Sequence, residues 1–347
     1  MWTDSGPPPP APRTPGENQL TGDGPPGTVG GVTHPLLNPL IVAAVERAAT
    51  HHRGRAWTQA GFTDLDHRAT HPCGIFTGTP FSVFAKLDTS PSGEVQFTAE
   101  LSGFSLIRSR AAVATPVPVA DGVIVTRAGT LLLSEALPER VAAPGRTADS
   151  RAPGDYAAIG RALAGLHQAH GETFGLAEFD GFYGPLPQCN RPVGSGRWAD
   201  FYADRRVLPM LQLAVDSGYL PAGLDRGVER VVVQLPALCG PDPAPALLHG
   251  DAQQNNFVST ADGAVVVDVA PYFGHPEADL ALVDIYAPVG PELFRAYAES
   301  APLDPGFAGR CELWRLAGYL AAIAVAGASA FGRSFLPRLD AAIRQYT

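Results

Sequence analysis

The segment LLHGDAQQNNFVSTADGAVVVDVAPYFG, residues 247–274, decides the fold of this chain of 347 residues. Its first half contains the spacing His-x-Asp-x-x-x-x-Asn, formed by His249, Asp251 and Asn256. An Ala-Asp-Gly turn separates two apolar runs, NFVST and AVVVDV, which is typical of a β-hairpin. Asp268 follows the apolar residues AVVV of the second run, twelve residues after Asn256. The hairpin is therefore expected to return Asp268 to face the loop that carries Asp251 and Asn256.

Two acids and an amide in this order are typical of kinase-type phosphoryl transfer. In such sites an Asp on the catalytic loop accepts the proton of the acceptor hydroxyl, and an Asn five positions later binds Mg²⁺. A second Asp binds the Mg²⁺ that bridges the β- and γ-phosphates of the nucleotide. The spacing therefore predicts Asp251 as the catalytic base, and Asn256 and Asp268 as ligands of Mg²⁺.

The lysine content of the chain supports the same chemistry. Lys and Arg together number 25, and Lys86 is the only lysine among them. It lies in FSVFAKL, residues 81–87, the third of three short β-rich runs. A kinase lysine lies on the third strand of the N-terminal lobe, pairs with a helix Glu and contacts the α- and β-phosphates. A compact ammonium suits oxygens that approach from several sides better than a planar guanidinium does.

Glu100 follows Lys86 by fourteen residues and fits the partner of such a lysine. It lies beside a helical stripe of apolar residues in the segment 94–110, formed by Phe97, Leu101, Phe104 and Ile107. Taken alone, Lys86 is typical of a surface lysine, Glu100 of a solvated helix residue and Asp268 of a turn cap. Their joint order, Lys, Glu, helical stretch, Asp, Asn, hairpin, Asp, favours the catalytic interpretation.

A turn that covers the phosphates is predicted in THPCGIFTG, residues 70–78. Backbone N–H groups near Cys73 and Gly74 are expected to face the phosphate oxygens there. The segment matches no strict glycine fingerprint.

The composition limits the partners that the protein can have. The net charge is −9, and no Arg-rich stretch lacks acids, so a nucleic acid partner is not expected. The longest apolar stretch, LWRLAGYLAAIAVAGASAF at 313–331, contains Arg315 and many small residues, which predicts a buried C-terminal helix rather than a membrane span. Four cysteines without a CxxC pair indicate neither a zinc site nor a dense disulfide framework. We expect a cytoplasmic protein; its oligomeric state stays open.

Three regions are predicted along the chain. Residues 1–33 are dominated by Pro, Gly and polar residues, which is typical of a disordered tail. Residues 34–135 combine a helix after Asn38 with short strands and one inserted helix, as a nucleotide-binding lobe would. Residues 136–347 are mostly helical and contain the catalytic loop and the substrate site; a helix at 197–218 is expected to be interrupted near Pro209. The fold class is therefore α+β with two lobes.

The same segments resemble the fructosamine kinase family, within the aminoglycoside phosphotransferase superfamily of protein-kinase-like folds. LLHGDAQQNNFV and VVVDVAPYFGHPEADLAL look like its catalytic and metal segments, FTAELSGFSLI like its Glu-bearing helix, and FGLAEFDGFYGPLPQCN with RWADFYADRRVLPMLQLA like its connecting segment. The resemblance implies a bilobal protein-kinase-like fold with a small β-rich N-lobe and a larger helical C-lobe. It also implies an adenine-binding hinge at SEAL, Ser134 to Leu137, with Glu135 and Leu137 at the nucleotide. Asp279 would anchor the catalytic region.

The resemblance implies an ATP- and Mg²⁺-dependent kinase, with GTP as an alternative donor, that phosphorylates a hydroxyl of a small sugar-containing molecule. A ketosamine is the leading acceptor, a sugar-bearing antibiotic such as an aminoglycoside or a nucleoside is the alternative, and a catalytically inactive nucleotide-binding regulator is a further one. A protein kinase is disfavoured because no Ala-Pro-Glu segment follows Asp268. Cys73 resembles the phosphate-loop cysteine that makes many family members redox-sensitive, although a buried inert thiol is favoured.

Two stretches depart from the family pattern. The family usually has Leu-Trp-Ser-Gly where this chain has AQQN at 252–255, and it tends to have an Asn-His pair before Phe-Gly where this chain reads LAAIAVAGASAFG. Both stretches are expected on the acceptor side of the site, whereas the nucleotide machinery is intact.

Overall fold

A five-stranded antiparallel sheet forms the N-terminal lobe. The computed structural model describes residues 34–140 and 151–347, so the predicted tail at 1–33 and most of the predicted loop at 138–154 lie outside the described residues. The strands are β1 (Gly61–Asp64), β2 (Cys73–Thr77), β3 (Val83–Asp88), β4 (Ile124–Thr126) and β5 (Gly129–Glu135), in the spatial order β1-β2-β3-β5-β4. The predicted runs therefore do form one sheet, with Lys86 on its third and central strand.

One face of this sheet is covered by helix α1 (Pro39–Arg53). The Asn38 side chain accepts a hydrogen bond from the N–H of Leu40 at 2.9 Å, and Pro39 occupies the first turn, as the Asn-Pro pair predicts. Fully buried Ile41 and Val45 of α1 pack with the sheet core, which includes Val83, Ala85 and Leu87. Because strand side chains alternate, Phe84 and Lys86 project from the opposite face, toward the C-terminal lobe.

Helix α2 (Gly93–Arg110) connects the two lobes. Phe97, Phe104 and Ile107 are buried on one side of it, which confirms the predicted stripe. Phe104 and Ile107 belong to the core of the C-terminal lobe. The helix that carries Glu100 is therefore fixed against the C-terminal lobe and presents Glu100 to β3.

The C-terminal lobe is mostly helical around one large apolar core. Its helices are α3 (Pro153–His167), α4 (Trp198–Tyr202), α5 (Leu208–Asp216), α6 (Leu224–Leu238), α7 (Pro276–Leu282), α8 (Glu292–Ala298), α9 (Phe307–Ala326), α10 (Ala330–Arg333) and α11 (Phe335–Tyr346). Six short strands form three antiparallel pairs: β6 (Gly181–Tyr183) with β7 (Leu186–Gln188), β8 (Ala246–Leu247) with β11 (Phe273–Gly274), and β9 (Phe257–Thr260) with β10 (Gly263–Val266). Because β5 ends at Glu135, we place the boundary between the lobes after it.

The helix predicted at 197–218 is interrupted near Pro209, as expected: a wider π turn at residues 203–207 precedes α5, and Pro209 lies in the first turn of α5. The buried C-terminal helix is confirmed, but it begins at Phe307 and ends at Ala326, so Phe331 lies in the separate helix α10. Within residues 34–140 and 151–347, no helix combines the length and apolarity that a membrane crossing requires.

Candidate active site

Lys86 and its two acidic partners form the centre of the cleft between the lobes. Lys86 Nζ donates hydrogen bonds to Glu100 Oε1 at 2.9 Å and Oε2 at 3.0 Å, and it also bonds to the carboxylate of Asp268. Only 7% of Lys86 is exposed. Burial opposes its charge, but the carboxylates of Asp268 and Glu100 outweigh burial and raise the pKa of Lys86. The structure thus joins three predicted residues that lie up to 182 positions apart in sequence.

Asp268 adopts a backbone conformation that few residues tolerate. Its φ is +54°, the only positive φ of a non-glycine residue in the described part of the chain, and Asp is among the few side chains found in the left-handed region. The hairpin strand β10 ends at Val266, so Asp268 lies in the turn beyond the strand rather than at its last position. Burial raises the pKa of its carboxyl, but the charge of Lys86 prevails and the pKa of Asp268 is lowered.

The catalytic loop is held by a buried carboxylate. Asp279 in α7 accepts the N–H of His249 at 2.6 Å and the N–H of Gly250 at 3.1 Å, and its Oδ2 lies 3.2 Å from Nε2 of His167. Gly250 has a φ of +84°, and a Cβ there would overlap the carbonyl oxygen of Ala270. Glycine at this position therefore lets the loop approach the segment that follows Asp268.

Asp251 lies beside Asn256 at the floor of the cleft. Asn256 Nδ2 donates to the backbone oxygen of Asp251 at 2.8 Å and to its Oδ2 at 3.0 Å. The Asp251 carboxylate is buried, and its Oδ1 has no hydrogen-bond partner within the described residues. Burial, reinforced by the charge of Asp268, raises the pKa of Asp251 to about 7. A carboxylate with a near-neutral pKa and one oxygen without a donor is suited to accept a proton.

A smaller cavity of about 120 Å³ lies between the sheet and the catalytic loop. Its sheet side is lined by cleft-facing residues of three neighbouring strands: Cys73, Ile75, Phe84, Lys86, Leu132 and Ser134. The predicted hinge residues Glu135 and Leu137 border it. The Glu135 carboxylate turns away to pair with His52 at 2.8 Å and Arg53 at 2.5 Å. The N–H of Leu137 donates to no acceptor within 34–140 and 151–347.

The N–H groups of Cys73 and Gly74, which we predicted to face the phosphates, point elsewhere. The N–H of Cys73 donates to Asp66 Oδ1 at 2.8 Å, and Gly74 pairs with Ala85 inside the sheet. Cys73 lines the smaller cavity with its side chain, while Gly74 packs against Phe62. The sequence pattern showed a glycine next to a small residue, but strand pairing decides where the N–H groups point.

An ion pair crosses the mouth of the smaller cavity. The Arg68 guanidinium donates to both oxygens of Glu139, at 2.6 and 2.7 Å, and both residues border the cavity. Arg68 belongs to the segment between β1 and β2, whereas Glu139 follows the hinge. The sequence analysis did not single out this pair, because its partners lie 71 positions apart without a shared periodicity.

A larger cavity of about 410 Å³ opens on the other side of Lys86 and Asp268. Asp251 lies in its wall, together with Gln253 and Asn255 from the stretch where the chain departs from the family pattern. The β6–β7 hairpin and the end of α9 form a large part of the remaining wall. Sequence reasoning missed the hairpin, since strands of three residues are too short to show a period of two; the Gly-Pro pair at 184–185 is its only turn signal.

Sequence comparison identifies relatives over most of this chain. A sequence model of the fructosamine kinase family matches residues 41–346. The probable ketoamine kinase YniA of Escherichia coli (strain K12) is 32% identical over 159 residues, 46% of this chain and 54% of that protein. This chain thus spans about half the length of that relative. The protein-ribulosamine 3-kinase (chloroplastic) of Oryza sativa subsp. japonica is 29% identical over 269 residues, 77% of this chain and 74% of that protein.

Solved structures show the same architecture. A candidate fructosamine-3-kinase from Thermobifida fusca superposes with a TM-score of 0.72 at 31% identity, covering 87% of this chain and 99% of that one. The aminoglycoside phosphotransferase APH(4)-Ia has a TM-score of 0.57 at 16% identity, with 88% and 99% covered. The second likeness concerns the fold alone.

Proposed function

The chain belongs to the fructosamine kinase family, and from that premise we propose that it transfers the terminal phosphoryl group of ATP to a hydroxyl of a small sugar-containing acceptor, with ketosamines as the leading class. The family match covers residues 41–346. Relatives named ketoamine kinase and ribulosamine 3-kinase support the reaction type.

One observation carries the proposal: two adjoining cavities share Lys86, Glu100 and Asp268 in their walls, and Asp251 lines the larger of the two. The smaller cavity has the hinge at its edge and the larger one contains the Asp251 carboxylate. A donor nucleotide in the first and an acceptor in the second would meet at the Lys86–Asp268 pair. Two adjoining sites that share a lysine and two acids, with a further buried acid in the wall of one, are what transfer between two bound molecules requires.

The residues present fit a nucleotide with Mg²⁺. Mg²⁺ prefers carboxylate and amide oxygens, which Asp268 and Asn256 would supply. The Asn256 carboxamide nitrogen is engaged by Asp251, which directs the oxygen of the same group the other way. When bound, Mg²⁺ neutralises phosphate charge. Lys86 would hold the α- and β-phosphates, with Glu100 fixing its ammonium from behind.

In the transfer step, Asp251 orients the acceptor hydroxyl and takes its proton. The acceptor oxygen forms a bond to the γ-phosphorus while the bond from that phosphorus to the bridging oxygen of ADP breaks. The products are ADP and a sugar phosphate. The chain's contribution is positioning, exclusion of water and balance of charge. We assign the hydroxyl proton to the Asp251 carboxylate, which lies in the wall of the larger cavity.

A catalytically inactive regulator is a poorer fit. Lys86, Glu100, Asp251 and Asp268 line the cleft, and Asn256 is hydrogen-bonded to Asp251; loss of such a residue is the usual departure of inactive relatives.

The test compares the wild-type protein with Asp251→Asn. ADP release is measured with ATP, Mg²⁺ and, in turn, a ketosamine, an aminoglycoside and a nucleoside antibiotic. We expect turnover with the ketosamine and a fall of about 10²–10⁴-fold in kcat for the variant, with ATP affinity retained. Asp262→Asn, in the exposed hairpin turn, is the matched control and should keep the wild-type rate. Equal rates for Asp251→Asn and wild type would refute the assignment.

A further inference from the structure

The charge distribution of the larger cavity restricts its acceptor. Its carboxylates are Glu100, Asp251 and Asp268, and its one ammonium is Lys86. All four are assigned to phosphoryl transfer, which leaves no additional acid in the described lining to pair with ammonium groups of an acceptor. Because a buried unpaired charge is costly, a polycationic acceptor such as an aminoglycoside is a poor fit.

The acceptor side of the cavity is instead aromatic and aliphatic. It is lined by Phe179, Phe182, Tyr183, Tyr286, Val325 and Phe331. Val325 and Phe331 are 50% and 45% exposed, and both line the cavity. Val325 and Phe331, both in the stretch LAAIAVAGASAFG, therefore present apolar surface to this cavity.

This wall is firmly held next to the catalytic acid. Tyr183 and Tyr286 bring their hydroxyl oxygens to 3.3 Å, and the Tyr286 ring lies 5.6 Å from the Phe331 ring. Gln96 of α2 donates to the carbonyl oxygen of Gly184 at 3.0 Å, which ties the β6–β7 hairpin to the helix that carries Glu100. A preformed wall beside Asp251 can bind a flat group without first reorganising.

We propose that the acceptor is a sugar whose substituent is an uncharged aromatic or aliphatic group, and that this substituent binds against Tyr286, Val325 and Phe331 while the sugar hydroxyl meets Asp251. This inference deepens the proposed function and rests on it for the identity of the reaction. The cavity of about 410 Å³ is within the usual size of a small-molecule site.

The experiment uses three acceptors with the same 1-deoxyfructosyl group: the adducts of benzylamine, ethylenediamine and glycine. They add a phenyl ring, an ammonium and a carboxylate respectively. Steady-state ADP release gives kcat/KM for each, and saturation-transfer NMR measures binding of the benzyl adduct without nucleotide. We expect kcat/KM for the benzyl adduct to exceed the other two by about 10-fold or more, the discrimination typical of an apolar subsite.

Val325→Asp tests the wall directly. It should lower kcat/KM for the benzyl adduct by about 10-fold and raise that for the ethylenediamine adduct. The matched control is Val233→Asp, on helix α6, where Val233 is 80% exposed and lies outside the cavity lining. Unchanged melting temperatures establish that both variants fold, and Phe331→Ser replaces Val325→Asp if the latter does not.

The outcomes separate the two proposals. One outcome is that the wild type binds the benzyl adduct, Val325→Asp abolishes this binding, and no adduct is phosphorylated. This outcome supports the apolar subsite and overturns the kinase proposal. Equal kcat/KM for all three adducts, a preference for the ammonium adduct in the wild type, or indifference to Val325→Asp overturns the apolar subsite. Absence of both binding and turnover of the benzyl adduct overturns it as well.

Discussion

Asp251→Asn should stabilise the protein that it inactivates. The fold raises the pKa of Asp251 from its ordinary value of 3.8 to about 7, first by burial and then by the charge of Asp268. Between these values the unfolded chain releases a proton that the folded chain retains, so Asp251 lowers the free energy of unfolding as the pH rises. At 1.36 kcal/mol per pKa unit, the shift corresponds to about 4 kcal/mol at pH 8.

The side chain of Asn has the same shape and no charge, so it avoids the free-energy cost of an ionised carboxylate in the folded protein. The free energy of unfolding of Asp251→Asn should exceed that of the wild type by about 4 kcal/mol at pH 8, by about 2 kcal/mol near pH 5.5, and by almost nothing at pH 4. The Asn oxygen can still accept from Asn256, and its nitrogen takes the place of the unpartnered Oδ1.

Urea unfolding of nucleotide-free protein, followed by circular dichroism at several pH values, measures the difference. Asp262→Asn serves as the control, because an exposed acid should change stability by no more than about 0.5 kcal/mol. If Asp251→Asn does not raise the free energy of unfolding at pH 8, or raises it equally from pH 4 to pH 8, the fold does not raise the pKa of Asp251.

Three further changes probe the rest of the cleft. Lys86→Arg should lower kcat/KM for ATP by about 10²-fold or more in ADP-release assays, because a planar guanidinium cannot replace the ammonium beside Glu100; a wild-type rate would argue against a phosphate role. Hydrogen peroxide should leave the activity unchanged, because Cys73 is 2% exposed and burial raises the pKa of its thiol to about 11. The Cys73→Ser variant should have nearly the wild-type activity. Inactivation of the wild type by peroxide, with Cys73→Ser resistant to it, would contradict this. Both Arg68→Gln and Glu139→Gln should raise the rate of nucleotide dissociation up to about fivefold in stopped-flow experiments at low salt. The difference from the wild type should shrink at high salt. Slower nucleotide release would mean that the pair does not restrict the opening of the smaller cavity.

The assembly of these side chains at one cleft was predictable because it depends on residue order. Lys86, Glu100, Asp251, Asn256 and Asp268 each have a common structural role, and only their sequence along the chain indicates a cleft. The comparison with known families confirms the family and the fold that this order implied. The roles of the individual residues stay predictions that the mutations above address.

What the sequence did not show are features set by pairing across the fold. The N–H of Cys73 is directed by a hydrogen bond to Asp66, and the left-handed backbone of Asp268 is set by the turn beyond β10. One wall of the larger cavity combines the β6–β7 hairpin, whose strands have three residues each, with the C-terminal end of α9. Neither the hairpin nor the end of this helix has a periodic sequence pattern that would predict which surface it faces. The break after Ala326, which brings Phe331 to the cavity, is likewise a matter of packing around Gly327.

The solitary lysine has a chemical consequence for the protein itself. Reducing sugars condense with unprotonated primary amines, and arginine side chains offer none. The one ε-amine among 347 residues is 7% exposed, ion-paired to two carboxylates and kept protonated by them. A protein proposed to act on sugar–amine adducts therefore presents no lysine on its own exterior where glycation could begin, and an acylating nucleotide probe would label a single, known lysine.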